Sequence, residues 1–208
     1  MIKYIQKNHE NINCEILNEL FRLRKKTFKD RLDWMVKCTD DMEFDEYDND
    51  KTNYVLGTIN NKVVCGSRLI NMKYRNMLED IFYQFFEKKE VIKENSIELT
   101  RIFIEKEKVR KLYKIKYPII LELLLKIRDY SKDLGFDRIY AVVTEKMFKI
   151  LKKSGWKIEL RQQGKSEKNE DVYLIIMPTS ETSIIKLKEN LKNRLLESLS
   201  KIKNKSTS

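Results

Sequence analysis

The apolar positions of this chain follow two periods in turn, and their order predicts its elements. Residues 2–5 form a short apolar start and read as a strand. Ile16, Leu20, Leu23 and the pair Thr27/Phe28 then recur at helical spacing, predicting an amphipathic helix over 14–27. Residues 29–53 are polar and acidic, with isolated Trp34, Phe44 and Tyr47, and read as a long loop. A loop of that length inside a compact domain usually carries function. Residues 54–59 and 63–70 read as two strands joined by Asn60-Asn61, a tight-turn pair because Asn tolerates positive φ. Met77, Ile81, Phe82, Phe85 and Phe86 predict a short helix, and the alternating Ile, Thr and Phe of 97–104 a strand. Pro118 opens a strongly apolar helix that runs to Leu134 and stops at Gly135. Residues 139–143 read as a strand, about 145–153 as a helix ended by Gly155, and 172–177 as a last strand stopped by Pro178.

A hairpin, then strand, long helix, strand, helix and final strand is the order of an acetyltransferase-like fold. The expected class is α/β (α+β), a mixed twisted sheet flanked by helices. That domain spans residues 1–178. Residues 179–208 form a basic helical tail whose seam of Ile184, Leu187, Leu191, Leu195, Leu199 and Ile202 suits packing on the domain or a partner; attachment at a membrane surface is the other use of such a seam.

Charge sharpens this picture. Residues 40–50 hold seven acids and no base, so setting those seven negative charges apart from the net +11 leaves +18 on the rest of the chain. A basic surface suits nucleic acid, membrane or an acidic protein. No zinc-finger spacing or RNA-binding signature favours the first. No stretch of about 18 apolar residues is present and the N-terminus lacks an apolar signal region, so neither a leader nor a stable membrane anchor is expected. Three widely spaced cysteines and one histidine offer no metal set and no disulfide framework, which implies a soluble protein of the reducing cytoplasm.

Four polar-aromatic groups carry the candidate chemistry. Arg24, Phe28, Arg31 and Trp34 combine guanidinium groups with aromatic rings, a pairing that holds a carboxylate and a flat cationic ligand together. Asp45 and Asp48 lie in the acidic loop, where carboxylates bind an ammonium group or orient an arginine; a calcium loop does not fit their spacing. Arg68 sits inside an apolar strand and needs a carboxylate partner, Asp45 or Asp48, unless that strand is a solvated edge. Glu98, Thr100 and Arg101 share the next strand. Burial of Glu98 would raise its pKa towards general-base duty. Alternation turns Arg101 to the opposite face from Glu98 and Thr100, unless a bulge between them brings both to one site. The run RQQGKS at 161–166 partly mimics the phosphate loop of CoA-dependent acetyltransferases, but it lies after the strand-helix pair that such a loop should join. The proper place, 105–117, has no glycine, which counts against acyl-CoA as a donor.

Taken together, Arg24, Phe28, Trp34, Asp45, Asp48, Arg68, Glu98 and Arg101 resemble, in type and spacing, the signature of the LuxI-type autoinducer synthases, the acyl-homoserine-lactone synthases. AVVTEKMFKILKKSGW also looks like that family's strand-helix-glycine segment. The resemblance covers residues 1–178. It implies that Arg24, Phe28 and Trp34 order the N-terminal region around S-adenosylmethionine (SAM), with Asp45, Asp48 and Arg68 as a charged network and Glu98 as the base. SAM is then a substrate, no cofactor is needed, and acyl carrier protein is the donor. Acyl carrier proteins are acidic, and Lys149, Lys152 and Lys153 form one basic patch at i, i+3 and i+4. In the resembling family a threonine hydroxyl near residues 141–144 favours a 3-oxo acyl chain. Ala141 falls at that place, with Val143 on the same face of the strand, so an unsubstituted chain is expected; Thr144 takes the place if the register slips. Two other readings stand beside this one: a related enzyme making N-acyl amino acids, and a basic nucleic-acid-binding protein.

Overall fold

The computed structural model describes residues 2–113 and 117–206. Its centre is a seven-stranded sheet in the order β1-β4-β5-β6-β7-β9-β8. The strands are β1 (Lys3–Asn8), β4 (Thr52–Ile59), β5 (Lys62–Asn71), β6 (Ser96–Ile104), β7 (Arg138–Thr144), β8 (Glu159–Lys165) and β9 (Asp171–Pro178). All neighbours are antiparallel except β6 and β7, which run parallel. The expected acetyltransferase-like class is what is observed. Asn60 and Asn61 make the β4–β5 turn with φ of 49° and 59°, the left-handed pair that a two-residue hairpin loop requires.

Two apolar layers cover the sheet. Helix α1 (Cys14–Arg24), capped by the Asn13 side chain, lays Leu20, Phe21 and Leu23 against Tyr54, Leu56, Val63 and Phe103. Alternation turns Val55, Val64, Leu69 and Leu99 to the other face, where α4 (Ile119–Asp133) and α5 (Glu145–Ser154) pack on them and on Ile139, Ala141, Val143 and Ile175. Ile184, just ahead of helix α6 (Ile185–Ser206), and Leu187 on it join this second layer; Leu191 is buried on the same helix, and Asn190 donates to the Ser154 carbonyl at 3.0 Å. Gly155 ends α5 at φ +90° with the Lys186 backbone against it, so it serves both as a cap and as a close approach for α6.

β6 and β7 pair only through Ser96, Ile97 and Glu98 on one side and Arg138, Ile139 and Tyr140 on the other. Beyond Glu98 and Tyr140 this ladder ends, although both strands continue, to Ile104 and Thr144.

Several segments differ from the sequence expectation. The loop at 29–53 is partly built: α1 continues as a wide π-helical turn over Lys25–Arg31, and a small hairpin of β2 (Cys38–Thr39) and β3 (Met42–Glu43) follows. The predicted helix at 77–86 divides into α2 (Met77–Asp80) and a 3-10 turn over Phe82–Phe85. Helix α3 (Lys106–Tyr113) fills the glycine-free stretch after β6. RQQGKS lies mostly in β8, an edge strand with little apolar signal. A Cβ on Gly164 would stand 1.9 Å from the Phe85 carbonyl oxygen, so this glycine admits a neighbouring backbone rather than forming a phosphate loop.

Candidate active site

The acidic segment closes over the α1 face of β4, β5 and β6 and supplies carboxylates to three arginines. Arg24 projects from the last turn of α1 and is 1% exposed. It donates through Nε to Glu43 at 2.5 Å and through both terminal nitrogens to Asp48, at 2.7 and 3.0 Å. Arg68, fully buried on β5, donates from Nη1 to Asp45 at 2.5 Å and to Asp48 at 2.9 Å, and from Nε to the Thr100 hydroxyl at 3.0 Å. Arg101 reaches Glu43 through Nε at 3.1 Å and Asp45 through Nη2 at 3.0 Å. Three guanidiniums thus face three carboxylates away from water, and each acid bridges two of the arginines. Tyr54 adds a 2.6 Å hydrogen bond to Asp48. The Arg24 and Arg68 guanidiniums hold the Asp48 carboxyl well below the usual range despite its burial, so it remains ionised.

Aromatic rings wall one side. The wide turn after α1 lets the Trp34 amide donate to the Phe28 carbonyl at 2.8 Å, and the two rings stack with centroids 4.9 Å apart. The Arg101 guanidinium lies 5.6 Å from the Phe28 centroid, on the side of the ring that carries negative charge.

Glu98 occupies the last position at which β6 pairs with β7, opposite Tyr140. Its Oε2 accepts from the Met77 amide at 2.9 Å, while Oε1 is buried without a partner among the described residues. Burial pushes its carboxyl up to about 7, the nearby arginines and amide groups opposing only in part. Arg101 adopts φ +55°, and the register against β5 shifts between Gly66 and Arg68, so a bulge turns Arg101 to the face of Glu98 and Thr100.

The family description "Autoinducer synthase" matches residues 8–187. The chain belongs to this family. An acyl-homoserine-lactone synthase of Pectobacterium carotovorum subsp. carotovorum is 43% identical over 181 residues, covering 87% of this chain and 84% of the relative. Among solved structures, the acyl-homoserine-lactone synthase LasI superposes with a TM-score of 0.80 at 22% identity, covering 90% of this chain and 94% of LasI. The CoA-dependent synthase BjaI, solved with SAM and isopentyl-CoA, gives 0.81 at 18% identity, over 92% of this chain and 90% of its own. As a family member the chain is a transferase of acyl-homoserine-lactone signal synthesis that uses SAM as a substrate.

The structure brings Arg24, Phe28, Trp34, Asp45, Asp48, Arg68, Glu98, Thr100 and Arg101 together. Arg68 is not the solvated edge arginine that the sequence also allowed. Arg31 stands apart, exposed at the end of the π-helical turn. Ala141 and Val143 face the α4–α5 layer, while Val142 faces the opposite cluster around Tyr140. The Thr144 hydroxyl oxygen caps α5, accepting from the Met147 amide at 3.4 Å. Lys149, Lys152 and Lys153 are exposed on α5, with Lys149 paired to Glu145 one turn back at 2.6 Å. Sequence reasoning missed Glu43, Tyr54 and Met77. Glu43 had a signal: two positions from Asp45, it shares that residue's face in extended chain. No helix among the described residues is long and apolar enough to cross a membrane.

Proposed function

We propose that the ion cluster receives SAM, that Glu98 is the base, and that a cytoplasmic acyl carrier protein delivers the acyl group between β6 and β7, beyond the end of their pairing. The observation that carries this reading is a buried carboxylate with one unpaired oxygen at the point where the two strands part. SAM carries an α-ammonium, a carboxylate and a sulfonium, so a site of alternating carboxylates and guanidiniums beside stacked rings matches it in charge and shape. A carboxyl titrating near 7 suits an α-amine of pKa about 7.7–8. Glu98 takes one proton from the α-ammonium and releases it to water; the nitrogen attacks the thioester carbonyl, and as the carbon–sulfur bond breaks the nitrogen's second proton passes by way of Glu98 to the departing thiolate. The SAM carboxylate then displaces methylthioadenosine from its γ-carbon, closing the lactone and discharging the sulfonium.

Carrier protein is favoured as donor because the sequence from 105 to 117 holds no glycine and so lacks the mark of a backbone cradle for a pyrophosphate. The lysine face of α5 follows directly on the end of β7 and suits an acidic partner. Acyl-CoA is the second reading, favoured by the fold shared with CoA-dependent BjaI. Purified chain supplied with SAM and either acyl-carrier protein or acyl-CoA, followed by mass spectrometry of lactone and methylthioadenosine, tests both. Turnover at least tenfold faster with carrier protein is expected; faster turnover with acyl-CoA would reverse the donor, and absence of methylthioadenosine would point to an N-acyl amino acid product.

A further inference from the structure

Arg68 has five N–H donors and no exposure, so each donor needs a protein acceptor. Thr100, Asp45 and Asp48 accept four. The fifth goes from Nη2 to the Met77 sulfur at 3.0 Å. Nη1 of Arg101 points to the same sulfur from 3.6 Å. The amide of that methionine is the donor to Glu98 Oε2. One buried residue therefore touches both arginines with its side chain and the carboxylate with its backbone.

Resting on Glu98 as the base, we propose that Met77 is a positioning residue: its sulfur holds the guanidinium N–H groups of Arg68 and Arg101 away from Glu98, and its amide fixes that carboxylate, so that Oε1 stays free to take the amine proton. A thioether is a weak acceptor and bears no charge, so it satisfies these donors without adding a carboxylate beside the base. Without the sulfur, two buried N–H groups lose their acceptor, and Glu98 Oε1, in the same cluster, is a buried oxygen without a partner among the described residues to which they would turn. An arginine paired with Glu98 would stabilise its charged form and weaken it as a base. The groups facing Glu98 are Arg68 from β5, Arg101 from β6, the Met77 and Leu78 amides from α2, and Tyr140 opposite it on β7. Asp45, Asp48 and Glu43 lie behind the arginines.

Met77→Leu keeps the apolar volume and the amide and removes only the acceptor. The test is the single-turnover rate of the first acyl transfer against pH, with thermal unfolding as a check on folding and Glu98→Gln alongside. Met77→Leu is expected to fold, to move the acid limb of the profile down by at least half a pH unit, and to lower the rate at neutral pH at least tenfold. An unchanged limb overturns the proposal whether or not the rate falls, because a purely structural role would lower the rate alone. A wild-type rate in Glu98→Gln would instead remove the base, and the role of Met77 with it. Norleucine in place of methionine throughout the chain deletes the sulfur at constant shape and supplies the same comparison if Met77→Leu does not fold.

Discussion

Glu98 and Arg101 are three positions apart on β6, where strict alternation would place them on opposite faces, yet both contact Met77 in one buried cluster. The left-handed φ of +55° at Arg101 makes this possible. A non-glycine residue in that conformation costs about 1–3 kcal/mol and persists only where its surroundings hold it. Here Glu43 and Asp45 hold the guanidinium through two ion pairs.

Glu98→Gln removes the proton acceptor and keeps the shape. It is expected to leave the fold intact and lower lactone formation by at least about 10²-fold, the scale of a lost general base. Rates near wild type with purified acyl donor and SAM would refute the assignment.

The same substitution changes how stability depends on pH. The Glu98 carboxyl is pushed up to about 7 in the folded protein, whereas in the unfolded chain it returns to the ordinary carboxylate range near 4.5. Between those values the native state holds a proton that the unfolded state has released, so stability is fully present below the lower value and falls as pH rises towards 7. The loss amounts to roughly 3 kcal/mol. Melting temperatures of wild type and Glu98→Gln should diverge from pH 5 to pH 8, with the variant about 5 °C or more higher at the upper end. Parallel curves would show that Glu98 is ionised at neutral pH.

Reversing the charge of Lys149, Lys152 and Lys153 to Glu should raise the Michaelis constant for acyl carrier protein about tenfold or more at low salt, with little effect on that for SAM. All three side chains are exposed, so the fold should tolerate the change. An unchanged constant would place docking elsewhere.

Ala141 is 2% exposed in the α4–α5 layer, and its side chain offers no hydrogen-bond donor. A 3-oxo oxygen buried beside it would lose about 1–3 kcal/mol for want of a partner, so the main product should carry an unsubstituted chain. Ala141→Thr should raise the 3-oxo share when product lactones are compared by mass spectrometry. A wild-type product that is mainly 3-oxo would contradict this.

Periodicity exposed the elements with large apolar faces. The helix at 118–134 and the hairpin around Asn60-Asn61 lie within a residue or two of their predicted places. β8 and α3 escaped because an edge strand and an exposed helix bury too little to print a pattern: ELRQQGK has five exposed residues of seven, and KEKVRKLY is mostly charged. In the site, Arg68 with Asp45 or Asp48 was legible because an arginine in an apolar strand requires a carboxylate. Met77 was not, since a methionine in a sequence reads as core and nothing in its spacing reveals that its sulfur meets two arginines. Arg101 needed the bulge, which two residues set against one on β5 create and which no local residue type announces.

The short joint between β6 and β7 makes the sheet a partition whose seam at this point is only three residue pairs long. Charged groups occupy the front room and hydrocarbon the back, and Glu98 stands on the threshold as the last residue before the seam ends. If, as proposed, the amine is held in front and the acyl chain behind, that threshold is where they meet. The back wall would then be resized through side chains such as Ala141 and Val143 without moving one carboxylate of the front, so the length of the message would drift between lineages while the chemistry that writes it stays fixed.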